Sequence, residues 1–187
     1  RSKGLMARSN TKIVYEKSRN SADNTYSDIY LDSDKNEYIY KNGNLTGVYY
    51  NSVSSVPEES DVKISLSEAT EIAKNYLSNF ISVDDYDVKV ADDRENYKQY
   101  NFIFARKIGD FYTEDSALIY VLYDGNVKCV SVSKSDEFSD VPEDILENIT
   151  PQMLETYAAS ELSSIYQNED FSFDVRENKL MKDDTGY

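Results

Sequence analysis

The clearest periodic stretch in the chain is SLSEATEIAKNYLSNFI, residues 65–81. Ala69, Ile72, Ala73, Tyr76, Leu77 and Phe80 recur at i, i+3, i+4, i+7, i+8 and i+11, which lines one side of a helix. Ser65 precedes this stripe and Glu68 follows three residues later. That is the spacing of a capping box, in which the hydroxyl and the carboxylate each satisfy a backbone N–H of the first turn. A helix with one apolar stripe needs a surface to bury it against, and the segments on both sides read as strands.

Upstream, DIYLDSDKNEYIYKNGNLTGVYY (28–50) reads as three short strands. Tyr38–Tyr40 and Leu45–Tyr50 are joined by Asn42-Gly43, a pair suited to a type I′ hairpin turn because both positions take positive φ. Asp32–Asn36 makes the turn before them, and Ile13-Val14-Tyr15 reads as a further short strand. Residues 51–62 are rich in Ser with Pro57, and read as a linker into the helix.

Downstream, Tyr86–Val90 alternates as a strand and Arg94–Lys98 is a polar turn. Tyr100, Phe102, Phe104, Arg106 and Ile108 line one face of a longer strand that Gly109-Asp110 ends. Ala117–Tyr123 and Val127–Val132 are two more strands, joined by Asp124-Gly125. An acidic linker with Pro142 leads to a second helix, capped by Thr150 with Pro151 at its first position. Leu154, Tyr157, Ala158, Leu162 and Ile165 give that helix its stripe, and Phe171–Val175 starts another strand.

The pattern repeats. Ile64, Ala73, Leu77, Phe80 and Tyr86 match Ile149, Ala158, Leu162, Ile165 and Phe171 at an offset of 85. The hairpin YIYKNGNLTGVYY (38–50) matches YVLYDGNVKCVSV (120–132) at an offset of 82, with Gly43 over Gly125. Two offsets so close predict a repeating unit of one helix and several antiparallel strands. The chain then divides into an irregular basic arm (1–25), antiparallel strands (26–56), a full unit (63–133), an acidic linker (134–148) and the start of a second unit (149–187). Strands outnumber helices and hairpins dominate, so the class is α+β with antiparallel sheets.

Charge removes some functions. The net charge is −15, and the first 19 residues alone carry +5, leaving −20 on the rest. Such a body repels phosphate backbones, so no nucleic-acid partner is expected. No run is apolar enough to cross a membrane, so membrane attachment is expected only through an anchor outside this sequence. Tyr is abundant, at 17 residues, and Trp is absent. The strand tyrosines Tyr30, Tyr38, Tyr40, Tyr49 and Tyr50 could form a platform for carbohydrate or peptide, against which cross-strand packing is the simpler reading.

Candidate chemistry is sparse. The chain has no His, which removes the usual general base and the commonest metal ligand. Its single Cys129 sits in a strand-like run and reads as a buried structural thiol. DSDKNE (32–37) starts like a calcium loop, but Glu37 stands where Gly is needed and Gly43 where Glu is needed, so it reads as a polar turn. The acid pairs Asp84-Asp85, Asp92-Asp93 and Asp183-Asp184 are neighbours in sequence and read as solvated, since catalytic carboxylates must face each other across a cleft. No catalytic residue, cofactor or metal site is expected.

The run FIFARKIGDFYTEDSALIYVLYDGNVKCVSV (102–132), after ISLSEATEIAKNYL (64–77), resembles a PepSY-type unit. Glu68-Ala69, Ala73, Leu77, Gly109, Asp124-Gly125 and Val127 match that family's pattern of a helix, a strand, a glycine turn and a strand ending in "DG.V". Ile108-Gly109-Asp110-Phe111 departs from the "NG.PV" turn of protease pro-regions. The family includes the pro-regions of thermolysin-like proteases and repeated units in bacterial envelope proteins of the YpeB and YcdB kind. The resemblance implies a cystatin-like α+β fold of repeated PepSY-like units in an extracytoplasmic, envelope-associated protein. It implies a non-catalytic module that restrains a peptidase or another envelope protein. The alternative is a cell-surface structural or ligand-binding protein that uses its tyrosine-rich strand faces. Partner contact is expected at an exposed strand edge and in the stretch Gly109–Asp115, through Gly109, Asp110, Phe111, Tyr112 and Asp115.

Overall fold

A computed structural model describes residues 12–20, 26–53, 56, 62–135, 138, 141, 149–166 and 179–181. In chain order its elements are β1 (Val14–Asn20), β2 (Tyr26–Leu31), β3 (Glu37–Lys41), β4 (Asn44–Tyr49), α1 (Leu66–Leu77), β5 (Tyr86–Arg94), β6 (Gln99–Ile108), β7 (Phe111–Leu122), β8 (Val127–Ser133) and α2 (Pro151–Ile165). The eight strands form one sheet in the order β1-β2-β3-β4-β8-β7-β6-β5, and every neighbouring pair is antiparallel. This is an α+β architecture. The expected strand at Phe171–Val175, the pair Asp183-Asp184 and Pro142 lie outside the described residues.

Both helices start as their sequences dictate. The Ser65 side chain accepts from the Glu68 N–H, and the Glu68 carboxylate accepts from the Ser65 N–H at 2.8 Å, completing the capping box. Thr150 accepts from the Met153 N–H, with Pro151 in the first turn of α2. The β3–β4 turn has Asn42 at φ 52° and Gly43 at φ 78°, the left-handed pair its sequence requires. Part of the segment read as an irregular basic arm is regular: β1 pairs with β2 from Val14 to Asn20. All seven β1 residues are exposed, so the strand is held by its backbone ladder and shows no apolar alternation.

The chain meanders through β1 to β4, crosses the sheet face with α1, and meanders back from the far edge through β5 to β8. The strands of 26–56 and those of 63–133 therefore share one sheet, joined where β4 meets β8. Gly47 pairs with Ser131, Val48 with Val130 and Tyr49 with Cys129. Val48 and Val130 are 82 residues apart, the offset that relates the two hairpins. A local two-fold through that pair exchanges Gly47 with Cys129 and Tyr49 with Ser131. At this seam a Cβ on Gly47 would lie 3.1 Å from the Val130 carbonyl oxygen, so the junction depends on a residue without one.

The core lies between α1 and the sheet. Ala69, Ala73 and Leu77 are fully buried, as are Phe102, Phe104, Ile119, Val121 and Val48. The alanines let the helix approach closely, and the aromatic rings of β6 fill the space beneath. A second, smaller cluster joins Phe111 at the start of β7 to Phe138 and Leu180. There the Leu180 N–H donates to the Tyr112 carbonyl at 2.7 Å, and Lys179 forms a parallel bridge with Tyr112. The chain thus leaves and re-enters one cluster on either side of α2.

Leu77→Ala is expected to cost about 2–5 kcal/mol in denaturant melts, the range for truncating a buried leucine. A loss below about 0.5 kcal/mol would mean the α1 stripe does not bear on the sheet. Cys129 is half-buried, and burial pushes its thiol up to about 11. It should react slowly with a thiol reagent at neutral pH in the native state and fast in denaturant; equal rates would contradict its placement in β8.

Candidate functional site

The stretch expected to make contact, Gly109–Asp115, is a tight turn followed by the first residues of β7. Gly109 and Asp110 form the exposed turn, and Tyr112 is half-buried. The ammonium groups of Lys89 and Lys107 lie 5.2 and 5.7 Å from the Tyr112 ring centroid. Phe111, Thr113 and Asp115 are buried, because β7 alternates from Phe111 to Val121 and these residues belong to its inward row. Phe111 and Asp115 are therefore not available at the surface as the sequence reading had them.

Asp115 is 1% exposed and has a structural role. One carboxylate oxygen accepts from the Arg106 guanidinium at 3.0 Å, and the other accepts from the Ser135 N–H at 2.6 Å. Its own N–H donates to the Thr113 hydroxyl. These contacts tie β6, β7 and the segment just after β8 together. An ion pair buried this way stabilises little by its presence, but removing one partner strands a charge.

The tyrosines do not form one platform. Tyr38 is buried, and its hydroxyl donates to Asp32 at 3.0 Å. The Tyr76 hydroxyl of α1 donates to the Tyr50 hydroxyl at 2.8 Å. Tyr49 lies outside the α1-side layer, with the Lys128 ammonium 5.2 Å from its ring centroid. What remains is a smaller aromatic row. Tyr15 meets Tyr30 edge-to-face at 5.7 Å, and Tyr30 meets Tyr40 edge-to-face at 5.3 Å. Tyr30, Tyr40 and Leu45 are half-buried against the same layer that α1 covers, and Tyr15 is 52% exposed.

The Asp32 turn is filled from within. One carboxylate oxygen accepts from the backbone N–H groups of Asp34 and Asn36, and the other from the Asn36 amide and the Tyr38 hydroxyl. Burial pushes the Asp32 carboxyl up, but these hydrogen bonds outweigh it and hold the carboxyl below its ordinary value. The acid pair Asp92-Asp93 is likewise divided. Asp92 pairs with Arg94 at 2.6 Å, while Asp93 pairs with Lys63 at 2.7 Å and accepts from the Tyr123 hydroxyl. That corner anchors the start of α1, where Tyr100 donates to the Ile64 carbonyl at 2.7 Å. Among the described residues, no group of three or more His, Cys, Asp or Glu side chains could hold a metal ion. No described helix is long and apolar enough to cross a membrane.

The sheet edges are β1 and β5. β5 carries a bulge between Val88 and Val90 and a mixed, mostly acidic charge row, which blunts an edge. β1 runs in regular register from Lys17 to Asn20, is exposed throughout, and sets Lys17 and Arg19 against Glu16. Sequence reasoning found only its first two residues, since an edge strand exposed on both faces carries no alternation to read.

Because its folded pKa is lowered, Asp32 contributes stability above the ordinary aspartate value of about 3.9, and that contribution fades as pH falls through the lower folded value. Asp32→Asn should flatten the acid limb of the stability curve in that window; an unchanged limb would contradict the turn geometry. Asp115→Ala should cost about 3–5 kcal/mol in chemical denaturation by leaving Arg106 unpaired, and a loss near zero would show that the pair is solvated.

No protein-family model matches the chain, and no curated protein is similar to it. Among solved structures, the C-terminal domain of Bacillus megaterium YpeB is similar in fold. The two superpose with a TM-score of 0.52 at 17% sequence identity, over 97% of this chain and 76% of that one. At that identity the likeness speaks for the fold alone.

Proposed function

We propose that this chain is a non-catalytic, extracytoplasmic binding module of the bacterial envelope that restrains a peptidase or another envelope protein. The observation that carries the reading is the exposed, basic β1 edge on an otherwise acidic molecule. An open edge offers a row of backbone donors and acceptors to an extended segment of a partner, and Lys17 and Arg19 favour an acidic one. The candidate acids favour the same reading, because Asp32, Asp92, Asp93 and Asp115 are each engaged in separate hydrogen bonds or ion pairs rather than converging on a cleft. The PepSY-like fold and the 82-residue offset between hairpins support an origin in repeated units. The alternative, a surface ligand-binding protein, draws on the Tyr15–Tyr30–Tyr40 row, but edge-to-face rings present little flat surface for a sugar to stack on.

The test is retention of proteins from an envelope extract on the immobilised chain, with inhibition assays on secreted metalloproteases. The wild type should retain a specific envelope protein or slow a peptidase, and Lys17→Glu/Arg19→Glu should abolish this with the melting temperature unchanged. Saturable retention on purified wall polysaccharide, with no protein retained, would replace this reading with the surface-ligand one.

A further inference from the structure

The two faces of the β1 edge differ in charge. Residues in register across an antiparallel pair share a face of the sheet. Tyr15, Tyr30, Tyr38 and Val48 stand in one row, and the last three belong to the layer that α1 covers. A bulge at Glu16 then shifts the register of β1. Beyond it Lys17 pairs with Ile29 and Arg19 with Ser27, which places both cations on the face away from α1. Ser18, between them, pairs with Asp28 and lies on the α1 side.

On the far face the row of Arg19 continues through Ser27 to Lys41 of β3, so the surface behind the edge is basic as well. Neither Lys17 nor Arg19 forms an ion pair with a described residue, whereas Lys63, Arg94, Arg106, Lys107 and Lys179 are each paired with a carboxylate of this chain. On the α1 side the Ser18 hydroxyl donates to the Asp28 carboxylate at 2.7 Å. Asp28 is exposed and is drawn towards β1 by that bond, so this side of the edge presents a negative charge.

A second copy does not fit here. Joining two sheets antiparallel through β1 keeps like faces together. Lys17 and Arg19 of one copy would then stand opposite or diagonal to the same cations of the other, which is destabilising.

We infer that the β1 edge takes an extended segment of a partner protein with carboxylates at two alternate positions, i and i+2, and an uncharged residue between them. The two carboxylates fall on the face away from α1, opposite Lys17 and Arg19. The residue between them falls on the side of Asp28, where a third carboxylate is repelled. The segment pairs with Lys17–Asn20, the part of β1 in regular register. The inference rests on β1 as the contact edge proposed above and adds which segments that edge accepts.

The test is titration of the isotope-labelled full chain with short blocked threonine peptides at low ionic strength, followed through amide chemical shifts. One peptide carries Asp-Thr-Asp at its centre and the other Asp-Asp-Asp. The Asp-Thr-Asp peptide should bind saturably, move the amides of Lys17 to Asn20 most, and bind about threefold tighter than the Asp-Asp-Asp peptide. Attraction by charge alone gives the reverse order, because the second peptide is the more acidic. Asp28→Asn should erase the preference and keep binding, and Lys17→Gln/Arg19→Gln should lose binding with the melting temperature unchanged. Equal or reversed affinities for the wild type, shifts centred away from β1, or no saturable binding at millimolar peptide would overturn the inference. Retention of an envelope protein that depends on Lys17 and Arg19, with no peptide preference, would leave the contact edge standing and remove the acid spacing. A peptide preference with no envelope protein retained would do the opposite.

Discussion

One constraint shapes the molecule: the chain must travel from the middle of the sheet to its far edge between β4 and β5. Four strand spacings separate them, about 19 Å at the usual inter-strand distance. A helix of 12 residues supplies up to about 18 Å of that path, and the linkers supply the rest. The crossing lies over β6, β7 and β8, so it must be apolar beneath and wet above, which is the pattern of α1. Ala69 and Ala73 bring the backbone close, Leu77 closes the far end, and Phe102, Phe104, Ile119 and Val121 form the floor. The capping box and the Lys63–Asp93–Tyr123 corner fix where the crossing begins.

Once α1 is seated, β8 returns to the centre and can only pair with β4, and the two hairpins fuse into one sheet. Gly47 allows that fusion by letting the Val130 carbonyl approach. The cost is asymmetry. Among the described residues one half of the face is capped by α1, while the other half carries the half-buried Tyr30, Tyr40 and Leu45 with no helix over them. Together with the open β1 edge, these are the surfaces a partner could use. The acidic groups that would suggest chemistry are instead bound into turns and corners, each satisfied locally.

Much of this was legible in the residues. The α1 stripe, both helix caps, the Asn42-Gly43 turn and the inward row of β6 follow from spacing and turn chemistry alone, and each stands where the spacing puts it. Three features were not. β1 escaped because an edge strand exposed on both faces has no period. The start of β7 was read as a contact stretch between two strands, and only the distant partners Arg106 and Ser135 make an inward Asp115 tolerable. The β4–β8 seam was hidden because pairing between segments 82 residues apart leaves no local trace; the hairpin offset was its one sign, and it reads as repetition before it reads as contact. The tyrosines read more simply as cross-strand packing than as a platform, and hydrogen bonds to Asp32 and Tyr76 do draw Tyr38 and Tyr50 into the packed layer.

The most direct test of a single sheet held by α1 is native-state hydrogen exchange resolved by residue. If β4 and β8 fuse the hairpins, then Val48 of β4 and Ile119 of β7 should exchange through the same global opening, with one free energy and one dependence on denaturant. Separate openings, with β2 to β4 exchanging at a much lower free energy while β6 to β8 stay protected, would contradict it.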